Sequence, residues 1–535
     1  MAILRLYNLT LGLDDDARAL RRAAAARLEL PDSVLKSVSL VKRGVDARER
    51  VPVYNCTADV EVTGDVEDIL KRLGDNARVA PTTPPLTVDK TGARESRGRV
   101  IVVGSGPAGA FAAYVLALNG HKPLLVERGP AALERLQQIG RFNARVKDHD
   151  PESNALFGEG GAGSFSDGKL WTSNRDPFIP RVLEVFVDCG APSRILTDAS
   201  PHVGTDILAR VVVKMRERIE KMGGEIRFKT RLDDVEIAAG VLAAAQIAGE
   251  KVETSALVLA PGHSARDTYA MLHRRGVALA AKPFQLGVRI EHPQEFIDKA
   301  QLNGKYARDK RLTPASYDLS CQLAGAPELY SFCMCPGGVT IAAISEPGML
   351  CINGMSYSVR ASGYANSALV TTFAPGEYGD GSALSGIEFQ RRYEEAAFDA
   401  GGGDYTVPAQ PVTHLLRGIV SPRPLKGSYT RGRKYTRLDT LLPEKLLIAL
   451  RAGLPEFDRR IKGYIQDSAI LQAVESRASG PVRITRDETT RESVNVAGLY
   501  PCGEGAGYAG GIVSAACDGI KSALAICSQY STTRG

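Results

Sequence analysis

Residues 99–129, RVIVVGSGPAGAFAAYVLALNGHKPLLVERG, read as one complete β-α-β unit, and no other stretch restricts the fold as far. The apolar, β-branched run 99–103 predicts a short strand. Gly104, Gly106 and Gly109 follow in the G-x-G-x-x-G spacing, a helix over 108–119 begins among them, and Gly120 ends it. A second strand over 123–126 leads to Glu127, about twenty residues beyond the glycines, as the dinucleotide-binding pattern requires. Gly104 permits the tight turn, Gly106 lets backbone approach a pyrophosphate, and Gly109 lets the helix pack close to the strand. The helix opens at Pro107 and Ala108, and the unpaired N–H groups of its first turn then face the phosphates. Glu127, with Arg128 beside it, is placed to accept hydrogen bonds from ribose hydroxyls.

At 535 residues the chain is too long for one core, and two or three domains are expected. The net charge of +6 is mild and forms no basic tail, so it does not point to nucleic acid. The uncharged run 101–120 has the length of a membrane span, but its glycines, proline and preceding strand favour the nucleotide-binding unit. The N-terminus, MAILRLYNLT, lacks the pattern of a signal peptide, and nine cysteines without C-x-x-C fit reduced thiols, which together predict a cytoplasmic protein. No set of residues stands at metal-ligand spacing.

Alternating segments at 4–11, 37–43 and 51–62 and helical ones at 15–28 and 66–73 predict a small N-terminal α+β module over 1–88, of ferredoxin-like type. It closes on a Pro/Thr-rich linker, 80–88. Beyond the β-α-β unit, residues 157–169, FGEGGAGSFSDGK, carry a second G-x-G-x-x-G with no strand before it. This reads as a loop in which Gly160, Gly161, Ala162, Gly163, Phe165, Ser166 and Lys169 border a cofactor through exposed N–H groups. A helix over 204–222 and short strands between 225 and 260 then lead to Ala260, Pro261, Gly262 and His263, and Leu232, Ala260, Gly262 and His263 are expected to border the cofactor. That helix, meander, strand order is how FAD-binding Rossmann domains of the glutathione-reductase type are elaborated. Proline here replaces the threonine of their Ala-Thr-Gly turn.

Strand-rich, helix-poor sequence over 282–454 predicts an inserted mixed α+β substrate domain. The nucleotide-binding domain is thus expected in two parts, 89–281 and 455–535, making the whole an α/β protein built on a discontinuous Rossmann-type FAD-binding domain. In the second part, Gly503 and Glu504 stand where a Gly-Asp pair holds the ribityl chain. Gly510, Gly511 and Ile512 open a final helix whose positive end suits the flavin N1 and O2 edge.

These strings resemble the bacterial family of FAD-dependent dehydrogenases, or NAD(P)/FAD-dependent oxidoreductases, of the glutathione-reductase-type flavoprotein superfamily. The resemblance rests on GSGPAGAFAA, FGEGGAGSFSDGKL, PHVGTD, GHSARDT, FQLGVRIEHP, FCMCPGG, VESRASGPVRI and GEGAGYAGGIVSAACDGI, and it covers nearly the whole chain. It implies bound FAD and redox chemistry and names no substrate.

Few residues are candidates for chemistry. His263 and Arg266 follow the strand that faces the cofactor, where they contact pyrophosphate or flavin, or Arg266 pairs with Asp267 or a helix end. His202 reads as a cap for the helix near Thr205, with a catalytic role as the alternative. Cys333 and Cys335 form C-x-C before Pro336, either a redox pair in a strained ring or plain hydrophobes beside a Pro-Gly-Gly turn near the flavin. Arg477 anchors a substrate anion or pairs with Glu475. The basic run 417–437 is a solvated loop or a gate for an anionic substrate, NADPH or RNA. The leading expectation is hydride transfer between flavin N5 and an organic small molecule, with NAD(P)H as a transient donor or with a protein electron donor. A flavin monooxygenase and a flavin-dependent RNA-modifying or RNA-binding protein are the alternatives. The first lacks its usual Asp-Gly motif and the second has a module of nearly balanced charge. Oligomeric state is not legible.

Overall fold

The computed structural model describes residues 2–62, 66–172 and 175–532. Its first sheet has the order Ser37–Asp46, Val53–Val62, Ala2–Leu11, Ala77–Val79, with every neighbouring pair antiparallel. Helices Ala17–Leu28 and Val66–Leu73 supply the two connections of a β-α-β-β-α-β plait. Asp16 caps the first helix by accepting from Arg18 N at 2.9 Å and Ala19 N at 3.1 Å, so the helix begins two residues later than its pattern suggested. The last strand, Ala77–Val79, was not legible in its three residues. Asn303 Nδ2 donates to Glu49 O at 2.8 Å and Arg43 N to Thr197 O at 2.7 Å, which fastens this sheet to the rest of the chain.

The second sheet is parallel, in the order Leu499–Pro501, Leu257–Leu259, Ile101–Val103, Leu124–Val126, Glu225–Arg227. Its four strands other than Glu225–Arg227 are buried throughout, as apolar strands with both faces covered must be. Val103 lies opposite both Leu259 and Val126, so Gly104, Ala260 and Glu127 emerge side by side at the carboxyl ends. Strand order reverses between Ile101–Val103 and Leu257–Leu259, the switch point at which open α/β sheets bind ligands. Helix Pro107–Leu118 starts on Gly106, and a Cβ on Gly109 would stand 1.9 Å from Gly104 O. A Cβ on Gly519, in helix Ile512–Gln529, would stand 2.1 Å from Ala108 O, so the two helices cross backbone to backbone. Strands Leu232–Ala238, Val241–Ile247 and Glu250–Glu253 form the meander.

A seven-stranded sheet carries the largest core, in the order Ser320–Cys321, Leu329–Pro336, Tyr364–Phe373, Phe284–Pro293, Ile470–Glu475, Val407–Pro411, Arg433–Tyr435. It corrects the boundary expected at 454/455. Helix Glu444–Arg460 runs straight through that point, and Ile470–Glu475 pairs with Phe284–Pro293, so this layer extends to Glu475. It is also more helical than its sequence suggested, since Ser385–Gly401 and Glu444–Arg460 have seventeen residues each. Among the described residues no helix is long and apolar enough to cross a membrane.

Candidate functional site

A cavity of about 710 Å3 opens at the carboxyl ends of the parallel sheet and continues to the seven-stranded sheet. This lies in the ~300–1,000 Å3 range of cofactor and small-molecule clefts. At one end Glu127, Arg128 and Leu232 line it, and Gly104, Gly106, Pro107, Ala108 and Ala260 continue the wall. Gly109 is behind the wall, where its task is the helix–strand contact. The Glu127 carboxylate accepts from Ser105 N at 2.9 Å, Ser105 Oγ at 2.8 Å, Gly129 N at 2.9 Å and Gly158 N at 3.0 Å. Four donors match the acceptor positions of an ionised carboxylate, so Glu127 is first a clasp joining three loops. A ribose hydroxyl that reaches it must share one of those positions. Arg128 bonds Glu152 at 2.6 Å and Asp267 at 2.9 Å and lies 4.3 Å over the Phe157 ring.

The second glycine-rich segment packs on the first. A Cβ on Gly161 would stand 2.9 Å from Gly106 Cα. Gly161, Ala162, Gly163, Ser166 and Lys169 line the cavity, whereas Gly160 and Phe165 stand behind it. The expectation of exposed N–H groups along this loop needs correcting. The N–H groups of Gly158, Glu159, Gly160 and Gly161 go to Glu127, Pro130 O, Ser105 O and Gly158 O. The loop is held from below by Arg135, which is wholly buried and donates to Asn154 O, Gly158 O, Glu159 O and Gly161 O. Burial pushes this guanidinium down to about 9. Phe165 packs beneath Arg135 at 4.6 Å.

At the other end Gly262, His263, Glu504, Gly510, Gly511 and Ile512 line the cavity. No heavy atom lies within 4 Å of where a Cβ on Gly262, Gly510 or Gly511 would stand, so these backbones face open space. Gly503 sits one step back, its N–H donating to Asp518 Oδ2 at 2.7 Å. Asp518 is held in turn by Arg486 at 2.7 Å and by Arg491, a buried network that fixes the turn presenting Glu504. His263 Nε2 lies 3.9 Å from Glu504 Oε1. Burial, reinforced by Arg477 and Lys282, pushes His263 down to about 3, so its imidazole is neutral at physiological pH. Burial pushes Glu504 up to about 7 against the pull of Lys282, so this carboxyl changes charge near neutrality.

Three expected roles change. Arg266 does not reach the cavity: its guanidinium bonds Glu394 at 2.9 Å, Gln390 at 3.1 Å and Glu346. Its expected partner Asp267 pairs with Arg128 instead. Arg477 does line the cavity, but all its nitrogens are engaged, two by Glu394 and one by Ser345, while Glu475 pairs with Arg289. Burial opposes ionisation of Glu394, yet Arg266 and Arg477 hold it well below the usual carboxylate range. Cys335 is buried behind the wall, whereas Cys333 stands on it, as does Cys502 further along. Pro336 borders the cavity rather than the Gly-Gly pair after it.

His202 does not cap its helix: Gly204 is the cap residue, and burial and Arg360 push the His202 ring down to about 4. The basic run 417–437 stays off the cavity, with Arg431 and Arg433 donating to backbone carbonyls. Sequence reasoning missed Asp167, Trp171, Tyr317, Asn353 and Arg360, which close the far end. The one signal was that Asp167 and Trp171 flank Lys169. Among the described residues no group of three or more His, Cys, Asp or Glu is arranged to hold a metal ion.

Residues 283–478 match the family model described as "FAD-dependent protein, C-terminal domain-like", and residues 3–61 match a domain of unknown function. A Clostridium beijerinckii protein described as "Uncharacterized protein" is 43% identical over 536 residues, covering 99% of each chain. Protein FixC of Escherichia coli K12 is 25% identical over 233 residues, 42% of this chain and 49% of that one. Among solved structures, L-proline dehydrogenase from P. horikoshii covers 81% of this chain and 94% of its own, with 10% identity and a TM-score of 0.33. The chain belongs to one family with this full-length Clostridium beijerinckii relative, and its seven-stranded sheet lies within the segment that matches the model of an FAD-dependent protein.

Proposed function

We propose that the protein is a dehydrogenase or reductase that moves a hydride between flavin N5 and an organic small molecule bound against the seven-stranded sheet. The observation that carries this is the continuity of the cavity, from Glu127 past Gly106 and Gly161 to Gly511, and on past His263 to Tyr317 and Cys333. The residues present fit FAD. Glycine backbones leave room where a pyrophosphate must pass, and the open start of an eighteen-residue helix at Gly511 offers partial positive charge at the far end. In this reading Glu127, Gly106 and Gly161 hold the adenosine diphosphate half, and Glu504, Gly510 and Gly511 the flavin half. When bound, FAD supplies two-electron chemistry.

The chain's own residues then divide the work. The neutral His263 imidazole positions Glu504 without adding positive charge. Glu504 holds a proton at its carboxyl below about pH 7 and gives it up above, the range a general acid or base needs. The ion network around Glu394 keeps Arg477 at the wall as a fixed cation with no freedom to follow a ligand. Tyr317, which is buried, and Phe332 and Trp171, which are exposed, line the substrate side.

An anaerobic absorbance titration tests the reading. Bleaching of the flavin bands by NADH or NADPH identifies a nicotinamide-driven reductase, and oxygen uptake then marks a monooxygenase. Flavin bands that ignore both nucleotides and bleach with a metabolite identify a substrate dehydrogenase. Purified, folded protein without flavin bands, which also fails to take up added FAD, contradicts the proposal.

A further inference from the structure

Strand Leu329–Pro336 pairs with Tyr364–Phe373 in regular register as far as Phe332 opposite Ala368, then slips, so that Cys335 lies opposite Asn366. The surplus residue is absorbed with Cys333 at φ +46°, a left-handed conformation that is strained for a non-glycine residue. Bulges of this kind re-aim side chains next to active sites. Here the bulge puts Cys333 on the cavity wall and leaves Cys335 directly behind it. The other cysteines of the chain are buried.

The ground behind the two thiols is built at some cost. Arg289 is wholly buried in the sheet and donates to Cys333 O at 2.7 Å and to Cys335 Sγ at 3.4 Å. Glu475, 2.6 Å away, holds it protonated against the cost of burial. On the cavity side Lys169 donates to Met334 O. Cys335 Sγ also donates to Cys333 O at 3.2 Å. A pair of plain hydrophobes requires neither a buried guanidinium nor a strained bulge.

We propose that Cys333 and Cys335 form a dithiol–disulfide couple that exchanges two electrons with the bound flavin, Cys333 being the thiol that faces it. This rests on the FAD reading above. On oxidation two S–H bonds break, one S–S bond forms, and two electrons and two protons pass to oxidised flavin; the reverse step reopens the disulfide. A small C-x-C ring is strained, and strained disulfides are the readily reduced, catalytic kind. The electrostatics agree. Interaction with Cys335 pulls the Cys333 thiol down, with Lys169 and Arg289 adding to the pull, while burial and Asp167 oppose it. The carboxyls of Glu475 and Glu504 face the same sulfur. Burial pushes Cys335 up, as suits the partner that keeps its proton until attacked.

The test uses the holoprotein after its flavin spectrum has been recorded. Anaerobic dithionite titration of the air-oxidised protein is expected to consume four electrons per flavin in the wild type and two in Cys333→Ser and in Cys335→Ser. Denatured, air-oxidised wild type should show two fewer free thiols than the nine in the sequence, with the bridge mapping to the peptide that holds both residues. In the reduced protein, iodoacetamide should modify Cys333 with a midpoint well below the ~8.5 of a free thiol. Flavin bands together with two electrons per flavin and nine free thiols overturn the couple and leave the FAD reading standing. The thiol count needs no variant, so a variant that misfolds does not decide the matter. If no flavin is bound at all, the FAD reading falls and the couple with it.

Discussion

At the end of the cavity next to Gly106 the wall is backbone, contributed by two short segments that meet at Gly106 and Gly161. At the end next to His263 the wall rests on charged side chains locked together behind it, where Arg266 and Glu394 hold Arg477, the one of the three that reaches the cavity. The first end owes its shape to what is absent, since any side chain at Gly109 or Gly161 fills space that backbone needs. The second owes its shape to what is present, since each buried charge depends on its counter-charge. The two ends should therefore fail in opposite ways, one when volume is added and the other when charge is removed.

The sharpest contrast is Gly109→Val. Its Cβ would stand 1.9 Å from Gly104 O, a backbone atom that cannot yield without moving the strand end. Expression should give little folded protein and no flavin, read by circular dichroism and absorbance. Glu394→Ala comes next. It leaves the guanidinium groups of Arg266 and Arg477, 3% and 2% exposed, without their shared carboxylate and should cost about 3–5 kcal/mol in denaturant unfolding. A loss below about 1 kcal/mol would mean that the network contributes little.

Glu504→Gln separates the ends by pH. The folded state holds this proton up to about 7, above the unfolded value near 4.5, so Glu504 stabilises the flavin-free protein fully below about pH 4.5. That contribution is lost as pH rises through 7. The wild type should lose about 1–3 kcal/mol more than the Gln variant between pH 4.5 and 8, and equal slopes would refute the raised carboxyl. The smallest effect is expected from Gly161→Ala, which sits at φ +60° with its Cβ 2.9 Å from Gly106 Cα. A cost of about 1–2 kcal/mol should weaken FAD binding roughly tenfold.

The same contrast explains what could be read from the sequence. The helix Pro107–Leu118 and the meander strands are local, each set by a few adjacent residues, and their patterns placed them within a residue or two. The boundary expected at 454 falls inside helix Glu444–Arg460, which continues through Pro455. The partner of Arg266 is 128 residues away, and no spacing in the chain announces Glu394. Asp267, the neighbour that local reasoning offers, is drawn off by Arg128. Likewise nothing in FCMCPGG shows that a register slip sends Cys333, not Cys335, to the cavity. Backbone devices leave glycine signatures; buried charge networks leave only isolated charged letters.

The central claim, that FAD lies across Gly106, is best tested by the flavin content and fold of Gly106→Glu beside the wild type. The nearest heavy atom to a Cβ at Gly106 is 3.8 Å away, so the chain can accept a side chain there, but that side chain enters the path of the pyrophosphate. The account predicts a wild type with one flavin per chain and a variant with wild-type circular dichroism and no flavin absorbance. A folded variant that keeps its full yellow colour would contradict it.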